Sequence, residues 1–253
     1  MLQMRDEQMA AFERAARETF QNKMVEHLKV FTPQHFQVIG EAGVRHVIRI
    51  GMARAKAYGL TNQGPVRFYI ELMFMFGSDF DSDPLLPWVG EILTDPATPD
   101  QMVRADRLYG RFTDYVEKVA GPDNKYVKEA LRRASMQRFE DFRIAAEDFD
   151  TEMIARLKAS YPEKCDYVGQ SALKELLPLG RALAQKHAIS KGEGVVLLIG
   201  LLFAQGHGAT TDPQLPWIQA TLNNPAITDP NKRIERLYSK LMTYLRHVLA
   251  SLD

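Results

Sequence analysis

One cysteine, Cys165, in 253 residues excludes an internal disulfide, so the chain must hold together by packing. A lone thiol in a helical setting is expected to be a packed or surface group, not a nucleophile, and it fits a reducing, cytoplasmic compartment. An excess of one charge is missing too: Lys+Arg and Asp+Glu both number 32. That balance creates no field to gather nucleic acid or an anionic membrane. Long apolar runs are scarce. The most apolar window, residues 195–204 (VVLLIGLLFA), spans about ten residues, half of what a bilayer requires. It reads as a buried core helix. The opening, MLQMRDEQMAAFERAARETF, mixes acids and bases where a secretion signal carries an uninterrupted apolar stretch.

Motifs with a chemical mechanism are missing in the same way. The histidines, His27, His35, His46, His187, His207 and His247, form neither an HExxH pair nor a Cys/His cluster. Gly206-His207-Gly208-Ala209-Thr210-Thr211 superficially suggests a phosphate loop but lacks its lysine and glycine spacing. There is no G-x-S-x-G elbow. Asp79-Phe80-Asp81-Ser82-Asp83 opens like an EF-hand loop, yet the positions that need glycine and glutamate hold Pro84 and Gly90. No catalytic residue, metal or cofactor is assigned, and a non-enzymatic protein is expected.

What the chain does have is a repeat. Asp83-Pro84-Leu85-Leu86-Pro87-Trp88 returns as Asp212-Pro213-Gln214-Leu215-Pro216-Trp217. An offset of 129 extends the match without a gap over residues 20–120, with about 30 identities in about 100 positions. Chance gives roughly one in sixteen. The shared residues, among them Met24/Met153, Gly40/Gly169, Gly51/Gly180, Gly77/Gly206, Arg104/Arg233 and Tyr109/Tyr238, are those a common core and common turns require. A tandem duplication is therefore expected, with repeats over 1–120 and 121–253 joined by a turn at 121–124. In this reading they pack as one pseudo-two-fold body.

Periodicity makes that body all-α. Met9, Phe12, Ala16, Phe20, Met24 and Leu28 recur every three or four residues, which predicts a helix over 4–31. Thr32-Pro33 supplies an N-cap and a first-turn proline for a second helix towards Tyr58, and a third spans about 65–76. Two prolines interrupt residues 77–88. A short helix over 88–93 and a longer one capped near Asp100 follow, running to about 120. Residues 125–160 read as helical.

The repeated Asp83, Pro84, Pro87, Trp88, Asp212, Pro213, Pro216 and Trp217 read as a structural motif, the aspartates capping turns and the tryptophans pinning the loop to the core. Arg104 and Arg107, with Arg233 and Arg236, are expected to tie their helix to the Asp-Pro turns, with Asp83 a partner for Arg104. Binding is sought where the copies differ. Asp79, Phe80 and Asp81 face Gln205 and His207 of the other copy, and these five are the candidate partner-binding residues.

The opening MLQMRDEQMAAFERAA and the stretch FGSDFDSDPLLPWVGEIL resemble uncharacterised bacterial proteins of type VI secretion effector loci, found beside PAAR-tip and adaptor-chaperone genes. The resemblance implies a cytoplasmic accessory protein, an adaptor or co-chaperone that helps load a secreted effector. Its partners would be an effector or an adaptor chaperone. A homodimer, an immunity protein that occludes a toxin, and an enzyme or small-ligand binder with a cleft between the repeats are the alternatives.

Overall fold

The computed structural model describes residues 6–252, which are built of helices with no strand among them. Helix α1 (Asp6–Phe31) precedes α2 (Pro33–Ala57) and α3 (Gln63–Phe76); α4 (Pro87–Thr94) and α5 (Gln101–Tyr115) complete the first half. The second half begins with α6 (Lys125–Met136) and continues through α7 (Phe149–Ser160), α8 (Pro162–Lys186), α9 (Gly192–Gln205), α10 (Pro216–Leu222) and α11 (Pro230–Leu252). Both ends of α2 and α3 map onto those of α8 and α9 by adding 129, and α4 and α5 begin where α10 and α11 do on the same offset. No described helix is long and apolar enough to cross a membrane.

Local chemistry accounts for the boundaries. Pro33 and Pro162 open α2 and α8, where a missing N–H costs nothing. Thr32 does not cap: its buried hydroxyl has no partner. Asp100 does, accepting the Met102 and Val103 N–H groups. Inside α2 and α8, Gly40 (φ 64°) and Gly169 (φ 81°) break the helical path at corresponding places, a kink the periodicity does not reveal. Residues 116–120 widen into a π-type turn before Gly121, and Asp123 and Asn124 also take positive φ.

Residues 125–160 are not one helix. The chain leaves α6 at Gln137 and makes two short 3₁₀ turns, Phe139–Phe142 and Ala146–Asp148, before α7 begins. Arg138 and Asp141 close the first turn on themselves. Phe139 and Phe142 fold onto Tyr238 of α11, with ring centroids 5.4 and 5.9 Å away. Burying three aromatic rings outweighs continuing the helix by one more turn.

Buried side chains form two cores, one in each half. Tyr69, Ile70, Met73, Phe80 and Trp88 anchor the first; Leu176, Leu198, Ile199, Ile218 and Leu237 anchor the second. Each such side chain contributes about 1.5–3 kcal/mol on leaving water. Leu85 is the exception to this division: it belongs to the first half by sequence and to the second core by packing. Cys165 is buried, and burial pushes its thiol up to about 12.

Candidate functional site

The halves meet where α3 and α9 end. Gly77 (φ 99°) and Gly206 (φ 89°) terminate these helices. A Cβ on Gly77 would stand 2.8 Å from the Gln205 carbonyl oxygen, and one on Gly206 would stand 2.8 Å from that of Phe76. Glycine alone meets both demands. Beyond each glycine, the aspartate of the other half reaches across. Asp212 accepts the Ser78 N–H at 2.8 Å and its hydroxyl at 2.6 Å, while Asp83 accepts the His207 N–H at 2.9 Å. Each aspartate also accepts the N–H two residues ahead, from Leu85 or Gln214, closing its own turn. On the 129-residue offset these contacts exchange with one another.

The side chains at the crossing do not match. Where the first half has Ser78, the second has His207, whose Nδ1 lies 3.5 Å from Asp83 and whose Nε2 lies 3.4 Å from the Ser82 hydroxyl. The Asp83 carboxylate beside it raises the His207 imidazole above its ordinary value, against the effect of burial. Burial alone would raise the Asp83 carboxyl, but the His207 imidazole beside it and hydrogen bonds from the Leu85 and His207 amides hold it below the usual range. Where the first half has Leu85, the second has Gln214. Its Nε2 donates to the Met73 carbonyl and the Ser78 hydroxyl, at 2.8 and 3.0 Å.

The acidic loop is internally paired. Asp79 accepts Arg54 at 2.5 Å, Arg54 also donates to the Ser78 carbonyl, and Asp81 accepts the Tyr69 hydroxyl at 2.7 Å. Burial first, then Asp81, lift the Tyr69 phenol far above its ordinary value. Phe80 is 1 % exposed and packs 4.9 Å from Tyr69, and the Asp81 side chain is nearly buried as well, so a partner at this loop meets Asp79 and His207 and not the Phe80 ring. Gln205 is half-buried at the crossing itself. No group of three or more His, Cys, Asp or Glu among the described residues is placed to hold a metal ion.

Arg104 does not pair with Asp83. Its Nη1 bridges the Tyr58 and Leu93 carbonyls at 2.7 and 2.8 Å, and Arg233 repeats the second contact with Leu222. Helix ends with orphan carbonyls are what a guanidinium satisfies. Arg107 does hold the turn, donating to Asp95 at 2.5 Å, whereas the position 129 residues beyond Asp95 is Asn224. Trp88 is 5 % exposed beneath Arg111; Trp217 is half-buried beside Tyr244.

A cavity of about 550 Å³ opens along this crossing. Its apolar walls come mostly from the second half, with Leu157, Leu197, Leu201, Leu241 and Leu245 among them; Met75 and Ala204, both exposed, mark its mouth. Corresponding positions of the two copies supply His35 and Lys164 to the same cavity. His35 meets the edge of Phe74 at 5.6 Å, and the Lys164 ammonium lies 4.9 Å over Phe203 and donates to its carbonyl at 2.5 Å. Burial lowers both groups below their ordinary values, opposed by Asp212 for His35 and by Asp83 for Lys164. Nothing in the sequence around Lys164 marks it, and Gln214 stands out only as a member of the repeat. The readable signal is the exchange of a polar residue for Leu85 in an otherwise repeated loop.

A second surface also distinguishes the halves. Tyr238 is clasped by Phe139 and Phe142 and donates to the Gln137 carbonyl at 2.8 Å. Its counterpart Tyr109 is 61 % exposed, beside the half-buried Phe68 and Phe112. The segment that would match 137–142 lies in α1, where residues 8–19 are exposed on every face, Met9 and Phe12 included. Comparison with protein families, with curated proteins and with solved structures finds no match.

Proposed function

We propose that this chain is a non-enzymatic, protein-binding accessory factor of the cytoplasm, an adaptor or co-chaperone that helps load a secreted effector. One observation carries the reading: the Phe68, Tyr109 and Phe112 face stands open where the second half covers its counterpart with an aromatic turn. An exposed tyrosine backed by half-buried aromatic rings is the kind of surface that dominates protein interfaces. The duplicated helical unit, two copies about a pseudo-two-fold axis, supports this reading through the reciprocal Asp83 and Asp212 crossings. One copy supplies its own cover; the other offers the same face to a partner. The resemblance of the opening and the Asp-Pro loop to proteins of type VI effector loci supports an effector or its adaptor as that partner.

The test is a calorimetric titration of the purified chain with the product of the neighbouring effector gene, repeated with Tyr109→Asp. Tyr109 is exposed, so the substitution leaves the core intact. Micromolar or tighter binding that weakens at least tenfold in the variant is expected. An effector that binds wild type and variant equally, or does not bind, overturns the reading. Sedimentation of the chain alone identifies the case in which a second copy takes the face.

A further inference from the structure

We propose that the cavity at the crossing is a binding site for a single-chain amphiphile, with an anionic head that also carries a hydrogen-bond donor. Independently of the Tyr109 face, three observations place this chemistry. The volume, about 550 Å³, lies inside the roughly 300–1,000 Å³ range of small-molecule sites. Two of its polar side chains lie where α3 and α9 end. Lys164 donates to the Phe203 carbonyl near the end of α9, and Gln214 donates to the Met73 carbonyl near the end of α3 and to Ser78 of the crossing. The walls beyond are largely apolar, from Leu157 to Leu245 and Val248, with Arg156 and Asp141 the charged residues among them.

The third observation is an unmet acceptor. Gln214 is 2 % exposed, and while its Nε2 makes two hydrogen bonds its Oε1 is buried with none. An acceptor left so is costly, and a ligand donor removes the cost. Lys164 spends one N–H on the Phe203 carbonyl and has two more to give, which suits a carboxylate. The head therefore needs an O–H or N–H for Gln214 and a carboxylate for Lys164. A hydroxy fatty acid meets both conditions with one alkyl chain. The first half has Leu85 at the position of Gln214 and His35 at that of Lys164, so the duplication has produced this head site once.

The probes are 3-hydroxydodecanoate, dodecanoate and dodecanol, titrated calorimetrically into the full chain at neutral pH. Affinity is expected to fall in that order. Lys164→Met should weaken both acids about tenfold and leave the alcohol within about twofold, since only the charge-assisted contact is lost. Gln214→Leu should erase the preference for the hydroxy acid over dodecanoate. Val248→Trp, which adds bulk to the apolar wall, should abolish all three. Melting curves confirm that each variant is folded, and selectivity ratios separate a lost contact from a weakened fold. Absence of saturable binding by any probe overturns the proposal, as does binding whose selectivity is unchanged by Lys164→Met and Gln214→Leu.

Discussion

Asp212 accepts both the backbone N–H and the hydroxyl of Ser78, at 2.8 and 2.6 Å, across 134 residues of chain. Ser78 is 1 % exposed, so water cannot replace either bond. Asp212→Ala should cost roughly 2–4 kcal/mol, because it orphans buried donors on Ser78 and Gln214. Asp83→Ala should cost less, since His207 is only half-buried. Urea unfolding of the two variants measures the difference; equal losses would contradict it.

The Asp83 and His207 pair has a pH signature. His207 holds its proton above the ordinary 6.5, so its contribution is complete below that value and fades as pH rises through the folded one. Asp83 is held below 3.8, so its contribution is present above 3.8 and fades as pH falls through its own folded value. The shared window runs between those ordinary values. The stability advantage of wild type over His207→Gln should therefore be greatest between those two ordinary values and shrink as pH rises above 6.5 through the raised folded value. An advantage that grows with pH sinks the assignment.

Glycine substitutions should divide by sign. Gly77→Ala and Gly206→Ala meet both a positive φ and a carbonyl oxygen 2.8 Å from the new Cβ, and should each cost about 2 kcal/mol or more. Gly110→Ala, in α5 with nothing within 4 Å, should instead stabilise by about 0.5–1 kcal/mol. Thermal melts decide, and Gly110→Ala serves as the control for helix propensity.

Charge reversal distinguishes two accounts of Arg104. Because Arg104 bridges the Tyr58 and Leu93 carbonyls and never meets Asp83, Arg104→Asp combined with Asp83→Arg should be less stable than either single variant. Recovery of stability in the double variant would reinstate an ion pair.

Much of this architecture is readable in residues that repeat. The helices over 33–57 and 162–186 follow from Pro33 and Pro162, and the turn aspartates from their place before proline. The broken stretch at 137–148 is not readable, because Phe139 and Phe142 satisfy a helical period as well as they clasp Tyr238. The clasp depends on a residue about a hundred positions away. Phe80 misleads in the same manner: set between two aspartates it looks like a surface residue, yet it belongs to the core of the first half.

Order along the chain was enough to determine the helical class, because periodicity, capping and turn chemistry act over a few residues, and to display the repeated Asp-Pro motif. It was also enough to mark Asp83 and Asp212 as turn residues, since each bonds the amide two positions ahead. Folding decided where their second oxygens went. Only when Gly77 and Gly206 bring the two helix ends together does each aspartate find the amide of the opposite copy, and only then do His35, Lys164 and Gln214 share one cavity. Contacts of that kind depend on distances in space between residues more than a hundred apart, which no local pattern encodes.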